Sequence, residues 1–342
     1  MLTKELELRI ENALQQLCYP SLLKGDMGVC IYYFLLGKMR GDSHLTLLGE
    51  NALETIMADM TRYKKLNIED GITGIALGIT YLLRNQLVQG NVNEALRDID
   101  AYVYKGISII QENSANIDTN LPLLDVLIYF LVRYDDVENP TRKTFYGRII
   151  EHLFNYIYIH RPDSFYQESF PFNLNKTSYL FILTLVRIYQ LDIERERITE
   201  IFKEMKEFLF SNIPLLQANR LYLMTVSRAV AKYLGDKEWM DFSNLLSQDM
   251  SLRYILEDEL TDKNLFPMTG VVGIWLLLEA NKLMGCPVNS EVREIDLTKR
   301  INNSSLWDRI EVDGEYLSSC YSLNGYCGII LFLEYLKTGV WI

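Results

Sequence analysis

Apolar and polar residues alternate along the chain in blocks of helical length. Seven segments are apolar almost all round a helix, as buried helices are, and seven others carry apolar residues at helical spacing with charges opposite. The apolar segments cover residues 29–38, 75–83, 121–134, 178–191, 220–234, 274–282 and 329–337. The amphipathic segments begin near Leu2, Ser43, Asn93, Thr141, Ile193, Lys237 and Ser290. This alternation predicts an all-α protein with an inner and an outer layer of helices.

A Gly-x-x-Gly pattern opens four of the apolar segments. The pairs are Gly25 and Gly28, Gly71 and Gly74, Gly270 and Gly273, and Gly325 and Gly328. The first two pairs begin 46 residues apart and the last two begin 55 apart. The gap of 199 residues between them is close to four periods of about 50 and contains three further apolar segments. Seven helical-hairpin repeats are therefore predicted.

Hairpins of this kind bury their inner faces only against their neighbours. The sequence therefore predicts one α/α toroid domain over residues 1–342, with about seven inner and seven outer helices. The Asp313-Gly314 turn signal predicts a minor β-hairpin at residues 306–318. Two roles remain open for the paired glycines: close backbone packing, or a pocket rim where free helix N–H groups face a ligand.

Composition narrows the class of partner. The formal net charge of −11 argues against a nucleic-acid backbone or an anionic membrane as the partner. No apolar run reaches the ~18 residues of a membrane-spanning helix, and the first segment is amphipathic rather than a signal peptide. We therefore expect a soluble, cytoplasmic protein whose five cysteines are reduced.

Three stretches of the chain resemble the lanthionine synthetase C-like (LanC-like) family. They are DGITGIALGITYLLRNQLVQGNVNEALRDID at 70–100, YPSLLKGDMGVCIYYFL at 19–35 and YSLNGYCGIILFLEYL at 321–336. The resemblance implies a double ring of seven inner and seven outer helices. It also implies peptide modification of the lanthipeptide type, in which a cysteine thiol adds across a dehydrated Ser or Thr of a precursor peptide. A zinc ion lowers the pKa of that thiol.

The zinc ligands that the resemblance implies are absent from the matching positions. The family's Cys-His pair falls on Met268 and Thr269, and its other cysteine falls within residues 219–222, which contain none. The three histidines, His44, His152 and His160, all lie in amphipathic segments. We therefore expect no cofactor held by the family's ligands. The function expected is a binding or accessory subunit that acts with a peptide substrate or a modifying enzyme.

Cysteines leave open an active cyclase with an atypical metal site. Cys30, Cys320 and Cys327 lie near the first and last inner helices, which are neighbours in a closed ring. Three thiols that meet there could bind zinc. The other interpretation is that these thiols are buried as small hydrophobic groups.

Carboxylates leave open a toroidal carbohydrate-active enzyme. Asp26 and Asp70 are candidate catalytic residues, with Glu69 beside them, because a pair of opposed acids supports hydrolysis of a sugar. Capping of an inner helix is the other interpretation. Glu279 and Glu334 lie off the glycine face, where pairing with solvent or the outer layer is expected.

A binding rim is predicted at the starts of the inner helices. Its members are the eight paired glycines together with Met268, Thr269, Tyr222, Tyr321 and Tyr326. The three tyrosines are candidates to line a groove for a peptide or a small molecule.

Overall fold

The computed structural model describes residues 21–60, 63–112, 120–168, 170–288, 294–308 and 320–339. Every regular element in these ranges is helical and none is a strand, so the predicted all-α class is confirmed. Contacts divide the chain into unit 1 (Met1–Val137 and Glu294–Ile342) and unit 2 (Glu138–Arg293). Within the described ranges, no helix is both long and apolar enough to cross a bilayer. The toroid and the single domain over residues 1–342 remain predictions.

The first part of unit 1 alternates apolar and amphipathic helices as predicted. Its helices are α1 (Asp26–Arg40), α2 (Ser43–Asp59), α3 (Ile72–Arg84), the single turn α4 (Val92–Ala95), α5 (Arg97–Glu112) and α6 (Asn120–Asp136). The amphipathic helix predicted near Leu2 lies outside the described residues. The apolar segments correspond to α1, α3 and α6, which are three of the seven predicted inner helices.

Unit 2 continues the same alternation. Its helices are α7 (Pro140–Ile159), α8 (Thr177–Gln190), α9 (Arg195–Ser211), α10 (Gln217–Leu234), α11 (Lys237–Ser247), the short α12 (Leu252–Tyr254) and α13 (Val271–Leu283). A 3₁₀ turn at Asp163–Tyr166 precedes α8, and a π-helical turn at Ile255–Glu259 follows α12. The predicted inner helices of this unit are α8, α10 and α13.

The C-terminal part of unit 1 contains α14 (Glu294–Asn302) and α15 (Tyr326–Thr338), the seventh predicted inner helix. Residues 306–308 of the predicted β-hairpin are helical, and residues 309–318 lie outside the described ranges. Helix α15 packs on α1, the first inner helix. The Arg40 guanidinium donates to both carboxylate oxygens of Glu334 at 3.3 and 3.2 Å, so an ion pair joins the two helices.

Burial follows the two classes of helix. In α10, a predicted inner helix, every residue from Leu221 to Ala231 is buried. The amphipathic helix α9 buries only one face, formed by Ile198, Ile201, Phe202, Met205 and Leu209. Since that spacing places the five side chains on one stripe, α9 covers the core from outside.

A buried ion cluster joins α5 to α6 in unit 1. The fully buried Arg133 guanidinium donates to both oxygens of Asp100 at 3.0 and 3.1 Å and to Asp136 at 3.0 Å. The Tyr129 hydroxyl donates to Asp100 at 2.5 Å. Because a buried charge is tolerated only when its bonds are satisfied, this cluster fixes the two helices relative to each other.

Candidate functional site

The second glycine of three pairs, Gly28, Gly74 and Gly273, lies where a loop backbone touches the helix. A Cβ atom on Gly74 would lie 2.0 Å from the carbonyl oxygen of Ile68, and one on Gly273 would lie 2.4 Å from that of Pro267. In both cases the carbonyl belongs to the residue six positions earlier. A Cβ on Gly28 would lie 2.2 Å from the Leu22 carbonyl oxygen. The loop before each of these helices therefore folds back onto the helix, and only glycine leaves the space.

The same loops bind the first N–H groups of their helices. Ile72 N–H donates to the Lys65 carbonyl, Val271 N–H to that of Asn264 and Tyr326 N–H to that of Cys320, each at 2.9 Å. A Cβ on Gly325 would lie 1.7 Å from the same Cys320 oxygen. These N–H groups are therefore hydrogen-bonded within the chain itself and do not face a ligand. The packing role of the glycines is observed, and their place in a binding rim remains a prediction.

A loop of unit 2 lies on the positions that correspond to the family's zinc ligands. Leu174 N–H donates to the Met268 carbonyl at 2.8 Å, and the Leu174 carbonyl accepts from the Tyr222 hydroxyl at 2.9 Å. Asn219 Nδ2 donates to Glu168 at 3.0 Å, and Thr269 N–H donates to the Phe266 carbonyl at 3.3 Å.

The side chains at these positions do not fit a zinc ion. Met268 offers a thioether, Thr269 a hydroxyl and Asn219 an amide, where zinc takes thiolate, imidazole or carboxylate. Arg220 brings a positive charge and donates to the Gln248 carbonyl at 2.8 Å. The resemblance to the family therefore does not extend to its metal chemistry at these residues.

The three tyrosines predicted to line a groove are buried. Tyr222, Tyr321 and Tyr326 are at most 3% exposed. Tyr222 packs edge-on against Tyr179 with ring centroids 4.9 Å apart, and Tyr326 lies beside Trp307 at 6.1 Å. The structure places these tyrosines in the core of their units rather than on an exposed groove.

Cys30, Cys320 and Cys327 do not form a cluster with other metal ligands among the described residues. Cys30 and Cys327 are fully buried, and Cys30 Sγ donates to the Gly49 carbonyl at 3.4 Å. Burial raises the pKa of the Cys30 thiol to about 12 and that of Cys327 still further, which disfavours the thiolate form that metals bind. Cys320 is half-buried. Among the described residues, no three His, Cys, Asp or Glu side chains lie close enough together to hold a metal ion.

Two of the predicted acids, both in the loop before α3, form ion pairs. Asp70 bonds Lys65 at 2.5 Å and Glu69 bonds Lys24 at 2.8 Å. Burial would raise the pKa of Asp70, but hydrogen bonds from Lys65 and Asn67 and the charges of Lys65 and Lys24 lower it below its usual value. Asp70 is therefore ionised at neutral pH. Neither acid caps helix α3 with its side chain, because Gly71 is the N-cap.

The remaining predicted acids lie on three different helices. Asp26 occupies the first turn of α1 and is half-buried. Glu279 pairs with Lys282 at 3.2 Å on its own helix. Glu334 pairs with Arg40 on α1, so its partner is an inner helix rather than the expected solvent or outer layer.

Asp125 on α6 is a candidate residue that the sequence analysis did not select. It is 7% exposed, and its carboxylate accepts from Ile68 N–H at 2.9 Å. Burial raises its pKa to about 7, with a smaller contribution from the negative charges of Glu69 and Asp70. Its signal in the sequence is a lone acid within an apolar helix, LPLLDVLIYF. A carboxyl that titrates near neutrality beside an ionised one is typical of acid–base sites.

Unit 1 also holds a cavity of about 580 Å³ between α5 and the loop before α3. Ile109, Ile110 and Pro122 line it with apolar surface, and Lys64, Lys65 and Lys105 add positive charge. It combines an apolar lining with three cations, although the chain as a whole is acidic.

Unit 2 holds a cavity of about 360 Å³ beside the start of α8. Lys176, Tyr166, Tyr179 and Glu168 line it, and the Lys176 ammonium lies 4.3 Å from the centre of the Tyr179 ring. Burial lowers the pKa of Lys176 to about 8, and the charge of Glu168 opposes that effect. None of these four residues was selected from the sequence, because polar residues before a helix start carry no motif.

No family model matches the chain, and no match is found among curated proteins. The geometry of its own residues is therefore the basis for a proposed function.

Proposed function

We propose that this protein is a zinc-free member of the LanC-like class that binds a modified precursor peptide as an accessory subunit of lanthipeptide-type biosynthesis. Its seven inner helices would form the inner ring of an α/α toroid. Three features support the toroid: the alternation of apolar and amphipathic helices, the shared loop geometry at the paired glycines, and the packing of α15 on α1. A closed ring requires its first and last repeats to be neighbours in this way.

The proposal depends mainly on what this chain does at the positions where the resemblance predicts zinc ligands. In unit 2, Met268 and Tyr222 are both bonded to Leu174, and Asn219 is bonded to Glu168. At positions where a zinc-dependent cyclase would hold the metal that activates a thiol, the residues of this chain thus hold a loop in place. A protein that keeps the helices and replaces the metal ligands is better suited to bind a peptide than to close its thioether rings.

The unit 1 cavity is the proposed peptide-binding surface. Its apolar lining suits leucine-type side chains of the peptide, and Lys64, Lys65 and Lys105 suit acidic ones. An acidic amphipathic segment of a precursor peptide combines both features.

Elemental analysis of the purified protein tests the absence of zinc. We expect substoichiometric zinc after expression in zinc-supplemented medium, because the donor set at the family's positions does not fit the ion. One zinc per chain, lost when Cys30, Cys320 and Cys327 are each replaced by serine, would instead establish the atypical cyclase.

A synthetic peptide with one cysteine, one dehydroalanine and an acidic amphipathic segment tests the binding role. We expect saturable binding by fluorescence anisotropy and no loss of the thiol to alkylation, since the thioether would not form. Lys105→Glu should weaken binding about tenfold. The matched control is Lys203→Glu, a reversal at an exposed lysine on α9 that should leave binding unchanged. Equal effects of the two reversals, or enzyme-dependent thioether formation, would rule out the proposal.

A second function, a carbohydrate-active enzyme, is favoured by one observation. Asp125 and Asp70 have pKa values displaced in opposite directions, as the acid and the base of a glycosidase do. If the protein has this function, it should hydrolyse at least one member of a panel of 4-nitrophenyl glycosides. Asp125→Asn should then abolish that turnover without unfolding the protein. Wild-type protein that is inert across the panel would dismiss it.

A further inference from the structure

The unit 2 cavity contains a buried cation without a hydrogen-bond partner in the part of the chain that the structure describes. Lys176 Nζ has almost no exposed surface, and none of the described residues accepts a hydrogen bond from it. Its nearest described attraction is the face of the Tyr179 ring. Leaving a buried donor unsatisfied costs free energy, and the cost is larger for a charged group. Such a group in a cavity is poised to bind an acceptor from outside the chain.

The Glu168 carboxylate, which also lines the cavity, is already bonded elsewhere. It accepts from Leu215 N–H at 2.8 Å, from Leu216 N–H at 3.2 Å and from Asn219 Nδ2 at 3.0 Å. Its charge therefore stabilises the start of α10, and among the described residues it forms no hydrogen bond with Lys176. Asp163 also lines the cavity, but its side chain is exposed to solvent.

The other groups around the cavity favour a negative ligand. Lys176 is the N-cap of α8, a helix of 14 residues, whose positive end adds to the charge of the ammonium. Tyr166 lines the same cavity. Burial raises the pKa of its hydroxyl above the usual range in spite of the positive charge of Arg161, so the hydroxyl stays a neutral donor.

We propose that this cavity is a binding site for a small carboxylate, which the Lys176 ammonium and the Tyr166 hydroxyl hold through its oxygens. Tyr179 and Phe208 supply aromatic walls, and Tyr166 stacks on Phe208 with ring centroids 5.6 Å apart. A volume of about 360 Å³ admits a flat acid of the size of benzoate. The site would bind such acids whether or not the protein handles a modified peptide.

Titration of Lys176 sets the pH range of binding. The ammonium loses its proton as the pH rises through its pKa of about 8, whereas a carboxylate ligand stays ionised. Asp163, Glu168, Tyr166 and Tyr179 face the same cavity, and the two tyrosines stay neutral over this range because burial raises their pKa values. Affinity for a carboxylate should therefore be highest below pH 8 and fall between pH 8 and 10.

Protection of Lys176 from chemical labelling tests the site, with benzoate and its uncharged analogue benzamide as the probes. The full-length protein is treated with trace acetic anhydride, and the rate of acetylation at Lys176 is followed by mass spectrometry. We expect saturating benzoate to slow acetylation of Lys176 about tenfold and to leave the exposed Lys203 unaffected. Benzamide should give no protection, because it carries no charge.

Two variants complete the test. Tyr166→Phe should weaken benzoate protection about tenfold, the effect of one hydrogen bond to a charged group. Lys176→Met should abolish benzoate binding in calorimetry, and Lys176→Arg, which retains the charge, should restore part of it. Equal protection by benzamide, or none by benzoate below pH 8, would overturn the proposal even if Lys176→Met fails to fold. Neither probe is a peptide or a zinc ligand, so failure here is distinct from failure of the accessory function.

Discussion

Helices α3 and α10 are both apolar helices, predicted as inner ones, but their first N–H groups are satisfied in different ways. At α3 the acceptor is a main-chain carbonyl, since Ile72 N–H donates to Lys65 at 2.9 Å. At α10 it is a side chain, because the Glu259 carboxylate accepts from Gln217 N–H at 2.6 Å and from Ala218 N–H at 2.8 Å. A loop backbone can approach a helix start this closely only where Cβ atoms are missing. A glutamate side chain is long enough to reach the N–H groups from further away, so no Cβ has to be absent. Glycine is therefore required at α3 and dispensable at α10.

This difference explains how the predicted fifth repeat can contain an apolar helix without a Gly-x-x-Gly pattern. The segment before α10 has its own carboxylate partner, as Glu168 accepts from the N–H groups of Leu215 and Leu216. Glu168 lies 47 and 48 residues before Leu215 and Leu216, and Glu259 lies 42 residues after Gln217. Contacts between segments distant in sequence thus replace the contact with the loop directly before the helix.

The largest expected effect comes from adding one methyl group at the glycine-dependent start. Gly74→Ala places a Cβ 2.0 Å from the Ile68 carbonyl oxygen and 3.0 Å from Leu22 Cβ, so the loop must move. We expect the free energy of unfolding in urea to fall by about 3 to 4 kcal/mol. Gly78→Ala on the same helix is the control, because its Cβ meets the buried Met27 side chain, which can adjust its rotamer, rather than a backbone. That change should cost clearly less, and equal losses for the two variants would contradict the loop contact.

Asp125 is expected to make the stability of the protein depend on pH. Its carboxylate bonds Ile68 in the loop before α3, a helix that begins with a Gly-x-x-Gly pair. Burial raises its pKa to about 7 in the folded state, so the folded chain binds the proton more strongly than the unfolded chain does. Stability from this group is fully present below the unfolded pKa of about 4 and is lost as the pH rises to 7. Asp125→Asn removes this dependence, and its stability relative to wild type should rise by about 2 to 3 kcal/mol between pH 5 and pH 8. A difference that is constant across this range in urea titrations would refute the assignment.

At the carboxylate-dependent start, Glu259→Ala is expected to cost about 2 kcal/mol, because Gln217 and Ala218 lose the acceptor of their N–H groups. Glu259→Gln keeps one carbonyl oxygen and should lose about half as much. Hydrogen exchange at the first turn of α10 provides the local measurement, with faster exchange expected in the alanine variant. Unchanged exchange there would mean that Glu259 is not the cap.

The helices could be predicted from sequence because their signal is local. A stripe such as Ile198, Ile201, Phe202 and Met205 is defined by residues three and four apart, and the structure buries that stripe. The paired glycines were visible in the sequence as a spaced motif, and several of them lie against carbonyls five or six residues earlier. The candidate sites were not visible in this way. Lys176, Glu168 and Tyr166 line one cavity without forming a motif, and the Asp125 carboxylate accepts from Ile68 N–H at a separation of 57 residues.

For the tyrosines, a local signal in the sequence was interpreted too specifically, because a position near a helix start was taken to indicate an exposed groove. Tyr222 and Tyr326 lie at helix starts, as expected, but the helix start is covered by a loop and both rings are buried. Period and polarity predict which face of a helix is apolar. They do not predict which later or earlier segment covers that face, because that depends on contacts distant in sequence.

The smallest expected effect isolates one side-chain bond in the glycine-dependent start. The buried Thr73 hydroxyl donates to the Leu66 carbonyl at 2.8 Å and so ties the first turn of α3 to its loop. Thr73→Val keeps the shape and removes this bond, and should cost about 1 kcal/mol in urea unfolding. Thr80→Val is a matched control on the same helix, because the Thr80 hydroxyl donates at 2.9 Å to the Ala76 carbonyl, an acceptor within the helix itself. If the two valine variants lose the same free energy, the Thr73 hydroxyl does not hold the loop, and the main-chain bonds beside Gly71 and Gly74 do so alone.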